Sequence, residues 1–281
     1  MNKHKPFLAA AAIISIACMI AGSFTGCSGE SEPSEASATT DSAQQKTSAA
    51  STQATTEHRH PQEAIHIEPT TIMENSHIIG VDVMLQDELE SGCEIYSAVT
   101  LLNYYEFSVD EFDFVEKYLN IEPVTTDDDG VSYGPDMNCA FAGQVELGYG
   151  AYAPAMQKAI DLYLTQQNSS RKAEIEKNAT LKELCEKYID NDDPVMVWVT
   201  TDMELPEEYV EWIVDYTDEN ASFKEGETFR WPTNEHCMLL IGYDDVNYYF
   251  ADSLDATVVG YERENCEQIF KAMGSQAVYL K

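Results

Sequence analysis

The sequence predicts an α+β fold with a helical first half and a mainly antiparallel sheet in its second half. An apolar helix begins near Cys93, and further helix-like segments follow as far as residue 189. After Asp193 and Pro194, apolar residues occur in short β-rich runs bounded by turn residues, which is typical of strands. With 281 residues, 44% of them hydrophobic, the chain suffices for one domain with a sizeable core.

Four segments of the first half are predicted to be helices. A β-prone run, IIGVDVM at residues 78–84, precedes them and predicts a strand that leads through a polar turn into the first helix. This helix, from Cys93, is apolar around most of its circumference, so we expect it at the centre of the domain. Amphipathic spacing and Pro154 in a first turn indicate the other three, at residues 110–120, 154–167 and 181–189.

Four runs of the second half are predicted to be strands of one sheet. They are PVMVWVT at residues 194–200, CMLLIGY at 237–243, YYFAD at 248–252 and AVYL at 277–280. Residues 205–230 interrupt these strands with the helix-like segment LPEEYVEWIVDY and acidic loop sequence. The pattern predicts a surface insertion that borders a cleft and indicates no role for it.

The first 27 residues have the pattern of an export signal: a basic start, an apolar run and a small-residue exit. The apolar run is shorter than the roughly 20 residues that span a bilayer, which favours cleavage. The segment FTGC at residues 24–27 resembles the lipobox of bacterial lipoproteins, with Phe24 where that motif usually has leucine. The resemblance implies a lipid on Cys27 and anchoring at the extracellular face of the cell membrane, and a plain signal peptide is the alternative.

Composition indicates the partners that the chain can have. Residues 28–70 are rich in Ser and Thr and are predicted to be a disordered tether, with a single domain at 71–281. A net charge of −34 argues against nucleic acid, whose binding depends on neutralised phosphates. The same charge favours cationic peptides by long-range steering, although a general solubility effect explains it equally well. Membrane contact is expected through the N-terminal lipid only.

The cysteines indicate a reactive thiol. Outside the signal segment there are five, and an odd number in an exported protein suggests that one is unpaired and reactive. The other four either form two disulfides, in any of three pairings, or remain buried thiols. They are Cys139, Cys185, Cys237 and Cys266. No CxxC and no zinc-finger spacing of Cys and His occurs, so no metal or other cofactor is expected.

Cys93 has the sequence surroundings of a nucleophile. It stands where a helix begins, and the free N–H groups and dipole there favour a thiolate, so we expect a depressed pKa. Gly92 leaves the approach to the sulfur open. Gln86, in the preceding loop, is near enough to place an amide N–H beside the sulfur, where it would stabilise an oxyanion. The alternative is a cysteine that only packs in the core.

His236 and Asp252 lie at the two ends of a predicted hairpin. The segment from residue 234 to 253 reads as two strands joined by a tight turn at 244–247, which brings His236 beside Asp252. A carboxylate there would fix the imidazole tautomer and stabilise its charged form. Cys237 follows His236 on the same strand, so it is predicted to point to the opposite face, into the core. A structural histidine and a turn aspartate are the alternatives.

The sequence resembles the papain-like peptidases, most closely the family of bacteriocin-leader-processing cysteine peptidases. The resemblance is carried by Gln86, the Gly92-Cys93 pair, His236 with the nearby run MLLIGYD, and Asp252. The resemblance spans about residues 78–280 and departs from the family at Ser253, where proline is usual. It implies a papain-like fold whose helical half carries the nucleophile and whose sheet carries His and Asp. In the implied mechanism, Cys93 attacks a peptide carbonyl, Gln86 and the Cys93 N–H hold the oxyanion, and His236 protonates the leaving amine.

Two other functions remain open at this point. Cys-His-acid hydrolases also cut the peptide cross-links of bacterial cell walls, and a surface anchor suits that activity, although no wall-binding repeat or basic patch accompanies the domain. The second alternative is a surface binding module that has kept the peptidase fold and lost its activity. The intact set of Cys93, His236 and Asp252 argues against this alternative. Leader processing itself is less favoured than general peptidase activity, because leader peptidases act beside a transporter.

Overall fold

The computed structural model describes residues 65–66, 76–206 and 208–281. The predicted signal segment, Cys27 and most of the predicted tether lie outside these ranges. The helices are α1 (Cys93–Tyr104), α2 (Glu111–Tyr118), α3 (Ala153–Gln166), α4 (Leu181–Lys187) and α5 (Arg263–Ala272). Within the described ranges, no helix has the length and hydropathy that a bilayer crossing requires.

Fourteen strands occur among the described residues. They are β1 (Ile65–His66), β2 (His77–Ile78), β3 (Ile121–Glu122), β4 (Thr125–Thr126), β5 (Ser132–Pro135), β6 (Phe141–Ala142), β7 (Ala173–Lys177), β8 (Val195–Thr200), β9 (Tyr209–Tyr216), β10 (Thr228–Pro232), β11 (Glu235–Tyr243), β12 (Asn247–Asp252), β13 (Thr257–Glu262) and β14 (Gln276–Leu280). Helices predominate up to α4 and strands after it, which confirms the predicted α+β fold.

Helix α1 lies in the centre of the domain, as predicted. Its first ten residues, Cys93 to Leu102, are all buried, and the helix packs against β11 and β8. The start of α2 is capped by a side chain: Asp110 accepts the amides of Phe112 and Asp113, which satisfies donors that a helix end leaves unpaired. The bounds of α2, α3 and α4 confirm the three other predicted helices.

The large sheet has β11 near its middle. Its strand order is β1-β13-β12-β11-β8-β14-β7, and β2 also pairs with β11. All of these pairings are antiparallel, and His236 of β11 lies opposite Val199 of β8. The tight turn predicted at residues 244–247 joins β11 to β12, where the Asp244 carboxylate accepts the amides of Val246 and Asn247.

The helix-like interpretation of residues 205–216 is wrong, because residues 209–216 form strand β9. Along β9, Trp212 and Val214 are buried while Glu211 and Asp215 are exposed, an alternation that fits a half-buried strand. The strand belongs to a small sheet of order β10-β9-β5-β4. This sheet covers a second apolar cluster: Met137, Ala142, Trp212, Val214, Phe229 and Trp231.

The strand predicted at residues 78–84 is largely absent. Only His77 and Ile78 form β2, and the following residues run irregularly along the sheet, where the Ile79 amide donates to the Ile241 carbonyl at 2.7 Å. The five cysteines of the described residues are all buried free thiols, so no disulfide joins any pair of them.

Candidate active site

Cys93 is the first residue of α1, and the turn before it requires glycine. A Cβ on Gly92 would lie 2.9 Å from the Leu89 carbonyl oxygen, to which the Gly92 amide already donates at 2.8 Å. Gly92 therefore allows the tight turn before α1. The sequence also predicts a second role for Gly92, which is to leave the approach to the sulfur open. As the first residue of the helix, Cys93 has a backbone N–H without a partner within the helix.

The predicted depression of the Cys93 pKa is wrong. Burial raises the pKa of this thiol well above its usual value, and the nearby carboxyl groups of Glu235 and Glu94 raise it further. A hydrogen bond from the Cys237 backbone amide acts in the opposite direction and is outweighed. The start of the helix does favour a thiolate, but desolvation and two acidic neighbours dominate at this position.

The first of these neighbours, Glu94, is fully buried although its side chain is an acid. Its Oε1 accepts the Ala151 amide at 2.6 Å, and the Cys93 thiol donates to its Oε2 at 3.3 Å. A Cβ on Gly150 would lie 2.2 Å from Glu94 Oε1, so any side chain at this position would displace the carboxyl group. Burial raises the pKa of Glu94 to about 7.

The second neighbour, Glu235, comes from the start of β11. Its Oε2 lies 3.9 Å from the Cys93 sulfur, while its Oε1 is buried without a hydrogen-bond partner. Burial, and then the charge of Glu94, raises the pKa of Glu235 well above the usual carboxyl value. The sequence reasoning missed both acids; the only available signals were a charged residue in an otherwise apolar helix and another beside His236.

His236 and Asp252 are brought together as predicted. His236 Nε2 donates to Asp252 Oδ1 at 2.8 Å, and both residues are buried. The same carboxylate oxygen accepts the Leu254 amide at 3.0 Å, which fixes the side chain at the end of β12. With Nε2 engaged in this way, Nδ1 is the ring nitrogen left for chemistry in the cleft.

Cys93 and His236 line one cleft of ≈ 340 Å³ between α1 and the sheet. The two elements are joined near this point by the Ser97 hydroxyl, which donates to the Cys237 carbonyl at 3.0 Å. Among the described residues, however, no hydrogen bond joins the Cys93 thiol to the His236 ring, because the thiol points towards Glu94 instead. Cys237 itself is buried, as predicted.

Gln86 lies in the same cleft, in the loop before α1. Its backbone amide donates to the Ser253 carbonyl at 2.7 Å, and its side-chain Oε1 accepts the Ser253 hydroxyl at 2.9 Å. Its Nε2 donates to the Glu90 carbonyl at 2.8 Å, which leaves one N–H of that group for another acceptor. Ser253, the residue at which the sequence departs from the papain-like pattern, therefore orients the Gln86 amide.

A sequence profile of the Peptidase_C39 like family matches residues 78–278, most of the described chain. The chain belongs to this family. It is accordingly a cysteine peptidase of papain-like fold, which confirms the predicted class of enzyme and the resemblance at the level of a C39-like peptidase.

Two solved structures resemble this C39-like peptidase. One is the crystal structure of a protein from Bacillus anthracis assigned as a C39-like peptidase, with 27% identity, a TM-score of 0.60, and coverage of 73% of this chain and 96% of that one. The other is a double glycine motif protease from an AMS/PCAT transporter in complex with the leader peptide, with 14% identity, a TM-score of 0.39, and coverage of 73% and 93%. No curated protein matches the sequence.

The walls of the C39-like cleft come from both halves of the chain. Tyr149 and Trp231 contribute aromatic surface, and Glu90 lies with Glu235 among the acidic groups. No lysine or arginine lines the cleft in the part of the chain that the structure describes. Cys93 is therefore surrounded by hydrogen-bond acceptors and carboxyl groups, without a cationic side chain from any described lysine or arginine in the cleft.

Proposed function

We propose that this chain hydrolyses peptide bonds with Cys93 as nucleophile, His236 as general base and Asp252 as the residue that orients the imidazole. The observation that carries the proposal is that one cleft contains both Cys93 and a histidine bound to a buried carboxylate. Membership of a peptidase family supports the same residues, since a thiol at a helix start and a carboxylate-oriented histidine are the parts that thiol hydrolysis needs.

In the proposed resting state, Cys93 is a neutral thiol rather than a thiolate. The raised pKa of Cys93 favours the protonated form, in which the thiol donates to Glu94. Catalysis then begins when the Cys93 side chain rotates about χ1 from Glu94 towards His236 Nδ1. The imidazole removes the thiol proton as the sulfur attacks, so the base acts during the step rather than before it.

The attack forms an S–C bond to the substrate carbonyl carbon, and the carbonyl oxygen becomes an oxyanion. The free N–H of Gln86 Nε2 and the unpaired Cys93 backbone N–H are the donors we assign to it. Collapse of the intermediate breaks the C–N bond, and the amine leaves with the proton from His236. Water then attacks the thioester, giving its proton to His236, and the C–S bond breaks to restore the thiol.

We also propose that the enzyme works at the outer face of the cell membrane, held by a lipid on Cys27 and a tether over residues 28–70. The support is the export pattern of the first residues and the FTGC segment. Metabolic labelling with a palmitate analogue tests this independently of catalysis: the wild type is expected to be labelled and Cys27→Ala to be unlabelled. An unlabelled wild type would remove the anchor.

The test of the catalytic proposal is cleavage of a mixed fluorogenic peptide library, combined with iodoacetamide labelling at neutral pH. Cys93→Ala is expected to abolish cleavage, and His236→Ala to slow it by about a hundredfold or more, the usual scale for loss of a positioned base. The matched control is His77→Ala, which removes a histidine of β2 that pairs with Asp192 and is not among the residues that line the cleft. This variant should retain activity. Cleavage that survives Cys93→Ala, or equal losses in the two histidine variants, would contradict the proposal.

A further inference from the structure

We propose that Cys93, Glu94 and Glu235 form a zinc site, in which a bound Zn²⁺ holds the nucleophile away from His236 and inhibits the enzyme. The three side chains each offer one ligand atom, and these atoms all lie within 4.8 Å of one another. Thiolate sulfur and carboxylate oxygen are both ligands that Zn²⁺ accepts. The site does not depend on the proposed function; only its inhibitory effect does.

The spacing of the ligand atoms fits a tetrahedral zinc ion. With Zn–S about 2.3 Å and Zn–O about 2.0 Å, a tetrahedral angle places the sulfur and oxygen ligands about 3.5 Å apart. The Cys93 sulfur lies 3.3 Å from Glu94 Oε2 and 3.9 Å from Glu235 Oε2, on either side of that value. The two carboxylate oxygens lie within 4.8 Å of each other, so closing the site around an ion requires movement of the glutamate side chains.

The Glu235 carboxyl group independently indicates a missing ligand. Its Oε1 atom is buried and has no hydrogen-bond partner, and a buried acceptor in this state is rare in folded proteins. No lysine or arginine among the described residues lines the cleft to offset the two carboxyl groups. A divalent cation held by the Glu235 carboxyl group would offset its charge, and binding through both of its oxygens would also satisfy Oε1.

The surroundings leave room for entry and for a fourth ligand. Cys93 and Glu235 both line the open cleft, so an ion reaches them from solvent. Glu94 is held in place by the Ala151 amide, which bonds its Oε1 and leaves Oε2 for the metal. Three protein ligands and one open position, filled by water, is an arrangement that zinc commonly adopts.

Binding involves no redox change. The Cys93 thiol gives its proton to solvent, an S–Zn bond forms, and carboxylate oxygens of Glu94 and Glu235 complete the protein ligands. Since the sulfur lone pair is then engaged by the metal, it cannot attack a carbonyl or an alkylating reagent. A chelator reverses the process by removing the ion.

The experiment measures metal binding on the full chain, without a peptide substrate. Zn²⁺ titration against a chromophoric indicator is expected to show one tight site, and Co²⁺ substitution a thiolate-to-cobalt charge-transfer band that Cys93→Ala abolishes. Glu94→Gln and Glu235→Gln should each weaken binding by about tenfold or more. Glu90→Gln, another acid of the same cleft outside the ligand set, is the matched control and should bind as the wild type does.

A second measurement needs no variant: Zn²⁺ should protect Cys93 of the wild type from iodoacetamide, and EDTA should restore labelling. The proposal is overturned if the wild-type Co²⁺ complex lacks the thiolate band, if Zn²⁺ gives no protection, or if both Gln variants bind as tightly as Glu90→Gln. Peptide cleavage in EDTA tests the peptidase function separately, so the two proposals fail by different results.

Discussion

Replacing Glu235 by glutamine should make Cys93 a more acidic thiol. The carboxylate Oε2 lies 3.9 Å from the sulfur, so its negative charge opposes the negative charge of a thiolate. At an effective dielectric constant of about 20, two unit charges at this separation repel by about 4 kcal/mol, which is the upper limit of the effect. Burial raises the pKa of Glu235 itself, so its carboxyl group opposes the thiolate only to the extent that it is ionised, and we expect the Cys93 pKa to decrease in Glu235→Gln.

The assay is the pH dependence of iodoacetamide alkylation, read at the Cys93 peptide by mass spectrometry. Glu235→Gln should shift the alkylation profile to lower pH and raise the rate at neutral pH by about tenfold or more, since the thiolate is the reactive form. Glu90→Gln, which changes an acid of the same cleft without a contact to the sulfur, should leave the profile in place. A Glu235→Gln profile within about half a unit of the wild type would refute the electrostatic account of Cys93.

Three further substitutions test contacts around the site and in the fold. Asp252→Ala should lower kcat/KM in peptide cleavage by about 10–100-fold, because His236 loses the partner that fixes its tautomer. Ser253→Ala should lower kcat by about tenfold with little change in KM, because the Gln86 amide loses its orienting hydroxyl. Asp136→Ala should cost about 3–5 kcal/mol of unfolding free energy in urea titration, since its buried carboxylate accepts several backbone amides.

Each of these three substitutions has a neighbour of the same type as its control. The control for Asp252→Ala is Asp255→Ala, which changes an exposed aspartate nearby. The control for Ser253→Ala is Ser91→Ala, which changes a cleft serine whose hydroxyl donates to the Gly148 carbonyl. The control for Asp136→Ala is Asp215→Ala, which changes an exposed residue of β9. If a control loses as much as its partner, the contact named for that partner does not explain the loss.

The features that sequence predicted well are encoded in consecutive residues. The hairpin that unites His236 and Asp252 follows from two apolar runs and the turn between them, in which Asp244 bonds the next amides. Helix α1 follows from a surface that is apolar around most of the helix, which only the domain centre accommodates. In both cases the local pattern and the tertiary environment favour the same conformation.

The features that sequence predicted badly depend on distant parts of the chain. Strand β9 resembles a helix locally, and its conformation is determined by β10 and by a parallel pairing with β5, far earlier in the sequence. The pKa of Cys93 is another case, since it depends on burial and on two carboxyl groups, one of which, that of Glu235, stands 142 positions away. A helix start favours a thiolate, and nothing in the segment around Cys93 reveals that β11 delivers an acid to the sulfur.

A thiol kept protonated by acidic neighbours alters what the histidine must do. A preformed thiolate reacts with any accessible electrophile or oxidant, whereas a buried thiol that donates to Glu94 is nearly inert. In the proposed mechanism, reactivity appears only when the sulfur turns to His236, and a peptide that occupies the cleft would favour that rotation. The two glutamates would then account together for three proposed properties: low reactivity at rest, dependence on His236 during catalysis, and inhibition by a bound cation.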